Sequence, residues 1–241
     1  MSETNASATL PLLGPFGYPP PLIKVGFNFT DLASPESFDL PNSLYEYSIG
    51  LVYIRQWNDR WTVISMLGAG MATDNENRSS EAWRFRGGIL GVYKRSESWQ
   101  WTLGAVATGR EDLPIVPAVG AIWNVDNRTR VDLTFPRPRY YRLVFERGAI
   151  QHWAYLGASI NGSTWAYERT GEVDDLLTYR DWRFALGWES HLADNPALSF
   201  TRRKKLSGEI GLAFAREFEF ENESRTEVLD NSLFLSIMAK F

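Results

Sequence analysis

Three observations predict an all-β fold, a closed antiparallel up-and-down transmembrane β-barrel of about twelve strands: apolar residues recur with period two, many runs reach ten residues, and long and short connections alternate. The chain has 241 residues, which fits one large all-β domain. Aromatics make up 14% of it, a content that suits pleated surfaces, where rings pack well. The absence of Cys excludes a disulfide framework and any thiolate metal site. No run of about eighteen apolar residues occurs, so a membrane-spanning helix is excluded and a closed barrel is the other spanning solution. Residues Met1 to Ser7 carry an acid and no basic or long apolar region, so no secretory leader is visible. That weighs against export unless the leader was removed or the start mis-set, and the strand pattern favours export.

Residues 1–21, ending in Pro19-Pro20-Pro21, read as a Pro/Gly-rich N-terminal arm, and 22–241 as the barrel. In order along the chain, Tyr45, Tyr47, Ile49, Leu51 and Tyr53 alternate with Glu46, Ser48 and Gly50. Trp83, Phe85, Ile89 and Tyr93 alternate with Arg84, Arg86 and Gly88, and Trp99, Trp101 and Leu103 with Gln100, Thr102 and Gly104. Trp182, Phe184, Leu186 and Trp188 oppose Asp181, Arg183 and Glu189. Ile210, Leu212, Phe214, Phe218 and Phe220 are set against Glu209, Gly211, Glu217 and Glu219, and the chain ends on Leu233, Leu235, Ile237, Ala239 and Phe241. Each run has one apolar and one charged or Gly-bearing face. The pair Asn161-Gly162 reads as a bulge that resets the phase.

Long acidic connections at 31–42, 74–81, 170–177 and 223–231 face tight turns at Trp57–Arg60, Arg95–Ser98, Val125–Arg128 and Glu146–Gly148. The segments Arg110–Pro114 and Pro136–Arg139 are short where a long loop is due, and His191–Lys204 is long where a turn is due. A soluble sandwich also alternates. The barrel is favoured by run length, by Gly50, Gly88, Gly104, Gly187 and Gly211 on the polar face, and by Trp57, Trp61, Tyr93, Trp99, Trp123 and Trp153 beside the turns, where an interfacial girdle lies.

A terminal strand closing on Phe241 is similar to the signal by which bacterial outer-membrane proteins are recognised for assembly. The chain also resembles an uncharacterised family of predicted bacterial outer-membrane β-barrel proteins. The segments that carry the likeness are Pro20–Phe27, Ser37–Asn42, Gly109–Pro114, Phe135–Arg139 and Leu177–Trp182. The resemblance implies a fold and an outer-membrane location, with membrane lipid and, through the C-terminal strand, the barrel assembly machinery as partners. It implies no activity.

No catalytic, cofactor or metal site is expected, nor nucleic-acid binding. His191 reads as a solvated loop residue and His152 as an interfacial one. Twelve-stranded outer-membrane phospholipases place a His two residues before a Ser-Asn-Gly run, whereas Gly157-Ala158-Ser159-Ile160-Asn161-Gly162 has Gly at the His position and an inserted Ile. Glu172, Asp174 and Asp175 match no calcium loop, and Arg202–Lys205 reads as a solvated turn. Function is therefore sought on the polar face. It would gather Glu46, Arg84, Arg86, Arg130, Asp132, Asp181, Arg183, Glu189, Glu209, Glu217 and Glu219 inside one barrel, either as Arg–carboxylate pairs filling the lumen or as the lining of a narrow path for a small solute. The expected function is a passive, porin-like channel or a structural outer-membrane protein. The alternatives are a soluble β-barrel or sandwich binding module, and thirdly a membrane-embedded hydrolase.

Overall fold

The structure is a computed structural model that describes residues 1–15, 19–32, 39–110, 112–171, 173–192, 205–222 and 225–240. Among the described residues the period-two pattern becomes fourteen strands: β1 (Ser2–Pro11), β2 (Leu22–Asp31), β3 (Ser43–Gln56), β4 (Trp61–Thr73), β5 (Trp83–Lys94), β6 (Trp99–Ala107), β7 (Ile115–Asp126), β8 (Thr129–Asp132), β9 (Arg139–Arg147), β10 (Ile150–Arg169), β11 (Val173–Leu192), β12 (Lys205–Phe220), β13 (Arg225–Leu229) and β14 (Ser232–Lys240). The remaining regular element among the described residues is one 3-10 turn, Ser80–Ala82.

Sequence neighbours pair antiparallel from β1 to β13. Both β13 and β14 pair with β12, at opposite ends of it, so they form two lengths of one column. A single parallel bridge, Thr73 to Ala166, joins β4 to β10. Strands β4 to β10 thus form a closed ring of seven, with the other strands continuing the same sheet outside it.

This differs from the expected closure of about twelve antiparallel strands, in which the last strand meets the first. Among the described residues β14 pairs with β12 alone. The expected N-terminal arm contributes β1, paired with β2 over ten residues. Its residues SETNASATLP alternate only weakly, with Ala6, Ala8 and Leu10 paired to Phe27, Val25 and Ile23 and with Glu3, Asn5, Ser7 and Thr9 on the other face, and the edge of β2 adds unpaired backbone donors and acceptors that an extended segment can satisfy. With β1 in place both outer strands, β1 and β14, run toward the rim of tight turns.

Leu156, Leu186, Ile210 and Leu235 stand in register across β10, β11, β12 and β14 and are 46%, 55%, 55% and 73% exposed, so the sheet's outer face is apolar. Phe27, Ile49, Leu51, Leu67, Phe85, Ile89, Leu103 and Val119 extend that face over β2 to β7. Ring contacts concentrate at the tight-turn rim, where Trp61 and Tyr93 lie 5.0 Å apart and Trp99 lies 5.7 Å from Trp123.

Toward the long-loop rim the polarity inverts. Leu32, Leu44, Ala72, Trp165, Tyr167, Leu177, Tyr179, Phe218 and Phe220 are buried together between the β2–β4 wall and the β10–β12 wall. Strand β10 pairs with β9 only up to Gly157 and runs on to Arg169, so this core lies beyond the end of β9. Polar contacts tie it down: Asp74 accepts the Glu168 N–H at 2.8 Å, and Asn77 donates to the Tyr167 carbonyl at 3.1 Å. Burial, with the Asp175 carboxylate adding to it, pushes the Tyr167 hydroxyl well above its ordinary pKa.

On β12 one residue makes the inversion, whereas β10 and β11 keep a single phase and there the inward side chains themselves change, from Tyr155 and Asp181 to Trp165, Tyr167, Tyr179 and Leu177. Ala215 sits at φ 47°, and the β11–β12 register shifts between Arg180 and Trp182. The extra residue moves β12 by one step of its two-residue period. Below it Glu209 and Ala213 face inward; above it Phe218 and Phe220 do, while Glu217 bonds Arg180 on the outer face and Glu219 is exposed. Grouping Phe218 and Phe220 with Ile210, and Glu217 and Glu219 with Glu209, is therefore corrected. The expected bulge at Asn161-Gly162 is also corrected: β10 and β11 keep one register from Ile150 to Arg169.

Candidate functional site

The inward faces carry most of the charge. Glu46, Arg84, Arg86, Arg130, Asp132, Asp181, Arg183, Glu189 and Glu209 lie on the interior face of the sheet, whereas Glu217 and Glu219 lie outside on the far side of the Ala215 step. Phe241, Glu172 and Arg202 to Lys204 lie outside the described residues.

Three clusters hold the interior charges, each seated where a neighbouring strand has Gly or a small residue. Arg86 on β5 reaches over β4, where its partner is Gly68, to bond Glu46 on β3 at 2.5 Å, and its Nε donates to the Thr108 carbonyl at 3.0 Å. Arg139 on β9 bonds Glu209 on β12 at 2.8 Å. Its guanidinium lies 4.6 Å from the Tyr155 ring centre, and the Tyr155 hydroxyl donates to the same Glu209 oxygen at 2.5 Å. Tyr155 crosses β11 at Gly187, where a Cβ would come within 2.2 Å of the ring. The third cluster centres on Asp181, fully buried, which accepts from Tyr179 at 2.9 Å and from Arg183 at 2.8 Å. Arg183 in turn lies 5.1 Å from the Phe234 ring centre, and Glu3 of β1 is within electrostatic reach of Arg183, Asp181 and Glu46.

The remaining expected residues are less closely joined. Arg130 and Asp132 on β8 are 3.7 Å apart, with Arg130 over the Tyr141 ring. Arg84 is 5% exposed and donates to the Thr164 carbonyl at 3.4 Å. Glu189 lies 3.7 Å from His191 at the tight-turn end of β11. His152 is stacked between Phe145 and Trp188, at 4.2 and 5.5 Å. Asp175, singled out with the acidic loop residues, is occupied by protein donors: Arg169 at 2.7 Å, Tyr167 at 3.2 Å and the Asn222 N–H at 3.0 Å.

The two connections that are short where long loops were due turn into the barrel. Arg110 of the first binds Asp112 through two bonds, 2.9 and 2.5 Å long, and lies against Gly162, where a Cβ would come within 2.4 Å of its guanidinium. Arg137 of the second donates to Asn161 Oδ1 at 3.0 Å. Together with β2 to β7 and the middle of β10 they line an open cavity of about 630 Å³, whose charged lining is Lys24, Glu46, Arg86, Arg110 and Arg137.

Alternation placed Glu46 and Arg86 at this cavity and missed Lys24, Arg110, Arg137 and the nearby Arg139. Lys24 fits the two-residue pattern, inward with Gly26 and Asn28 where Val25 and Phe27 face out, and was open to the same argument. Arg110 and Arg137 sit on irregular backbone, where no periodicity reports orientation. The available signal was that each occurs in a Gly- or Pro-punctuated segment too short for its rim, Gly109–Pro114 and Phe135–Arg139.

No curated protein and no solved structure matches the chain. The model of the family described as a domain of unknown function (DUF6268) matches residues 24–233, which include every strand but β1 and β14 in large part and the whole cavity lining, and the chain belongs to that family.

Proposed function

We propose that this protein is an outer-membrane β-barrel that serves as a narrow passive channel for a small solute. The observation that carries the reading is the inversion of polarity: leucine, isoleucine and aromatic side chains stand exposed around the outside, while arginines and carboxylates pair inside. In water such an outer surface far exceeds the apolar patches that soluble proteins tolerate, whereas in a bilayer it is the face in contact with acyl chains. On β11, Trp182 and Trp188 flank Phe184 and Leu186 on that face. Their six-residue separation spans about 20 Å at about 3.3 Å per residue, within the height of the apolar band of membrane barrels.

The interior supports a small-solute path more than a wide pore. Ion pairs and Tyr155 occupy part of the lumen, the cavity is of a size that takes one small molecule, and the apolar core narrows the long-loop end. The proposed partners are membrane lipid and the assembly machinery that reads the C-terminal strand. Membrane extraction and gel mobility test the location: recovery only with detergent, and migration that changes on heating, are expected. Recovery as a soluble protein without detergent would refute it. Ion conductance of the purified protein in planar bilayers tests the channel.

A further inference from the structure

We infer that the interior cavity is a binding site for a small organic anion bearing phosphate or carboxylate groups. The proposal deepens the channel reading by naming the class of solute, and it rests on that reading only for the claim that the bound anion is in transit. Its basis is a charge imbalance around one cavity. Four cations, Lys24, Arg86, Arg110 and Arg137, line the cavity against one carboxylate, Glu46.

Two of those cations are already answered, Arg86 by Glu46 and Arg110 by Asp112. Lys24 and Arg137 make no ion pair among the described residues; Arg137 bonds the Asn161 side-chain oxygen and lies within electrostatic reach of one carboxylate, Glu209, and of two further cations, Arg139 and Arg183. In the other interior clusters arginine meets a carboxylate, Arg139 with Glu209 and Arg183 with Asp181. Cations drawn together in a confined lumen repel one another, and a low-dielectric wall around the lumen strengthens that field. An anion placed between Lys24 and Arg137 relieves the repulsion and gains charge-assisted hydrogen bonds.

Arg137 contributes a planar, multiply donating group and Lys24 a mobile point charge, a combination suited to phosphate or carboxylate oxygens. Arg110 is not a free ligand, but its seat on Gly162 holds the first inward connection against β10 and so completes the cavity wall. The volume of about 630 Å³ lies within the range of small-molecule sites and exceeds what a single inorganic anion fills.

The test is equilibrium binding of inorganic phosphate and of succinate to the full chain in detergent, by calorimetry, with heat-modifiable gel mobility as the check on folding. Saturable binding is expected, weakened by about tenfold or more in Lys24→Gln and in Arg137→Gln, the loss typical of one charged hydrogen bond. Lys24→Arg keeps the charge and should retain binding. Arg142→Gln removes a cation that bonds Thr129 outside the cavity lining and should bind as the parent does. Absence of saturable binding for both probes, or equal affinity in all four folded variants, overturns the anion site. The channel reading fails independently: binding retained with no conductance in planar bilayers removes the conducting path and leaves the site standing.

Discussion

Leu186→Arg, at the centre of the exposed row formed with Leu156, Ile210 and Leu235, separates a membrane barrel from a protein bathed in water. Leu186 is 55% exposed and stands between Trp182 and Trp188 on the outer face of β11. A charge there costs about 2–4 kcal/mol if that face meets the bilayer midplane. At about 1.4 kcal/mol per tenfold, this lowers the folding equilibrium constant by about 30-fold to 700-fold. In water the same change on an exposed side chain alters stability by about 0.5 kcal/mol or less. Val228→Arg is the internal control: Val228 is 75% exposed but pairs with Glu217, on the long-loop side of the Ala215 step, where the outer face is already charged. The assay is reversible denaturant unfolding in lipid vesicles, followed by tryptophan fluorescence. A loss of about 2 kcal/mol or more for Leu186→Arg with about 0–1 for Val228→Arg is expected. Equal effects at the two positions, or about 0.5 kcal/mol at Leu186, refute the assignment of the outer apolar face to lipid.

The terminal strand gives a second contrast. Ile237→Asp, on an outward position that is 75% exposed, should reduce insertion, and Ser236→Asp, on the inward face opposite Glu209, should be tolerated; equal insertion yields would show the faces of β14 to be wrongly assigned. Replacing both Arg84 and Arg86 with Ala leaves Glu46 without its bond, so conductance in planar bilayers should rise or selectivity should shift toward cations. Unchanged conductance and selectivity would place these arginines off the solute path. Gly187→Ala forces the Tyr155 ring from its seat and should cost about 1–3 kcal/mol, as overpacking does. The cost should largely vanish in a Tyr155→Ala background, and an undiminished cost there would mean that the glycine acts through the backbone rather than through the ring.

The β3, β5, β6 and β11 faces were legible because each keeps a single phase over its whole length: Tyr47, Ile49 and Leu51 point out and Glu46 points in, as their spacing requires. Strand β12 was misread beyond Phe214 because period counting assumes that no residue is inserted. Ala215 carries no Gly or Asn signature that would announce its positive φ, so the phase change left no local mark. The opposite error occurred at Asn161-Gly162, where a turn-forming pair suggested a bulge. The glycine instead makes room for the Arg110 guanidinium arriving from a segment about fifty residues earlier, a long-range reason that no window of sequence contains. Strand β1 was missed on the same principle, since its partner's edge supplies the reason for it to be extended.

On the proposed membrane reading, the step at Ala215 makes β12 a strand written in two solvents. Below it the rule is oil outside and charge within; above it the rule is that of a water-soluble protein, with Phe218 and Phe220 inside and Glu217 and Glu219 outside. One residue serves as the conjunction between the two. Deleting it would leave every side chain chemically unchanged and yet send two carboxylates into an apolar core and two phenyl rings into water. On β12 the change of polarity is therefore encoded in a count of residues, whereas on β10 and β11, which keep one phase, it is encoded in their kind.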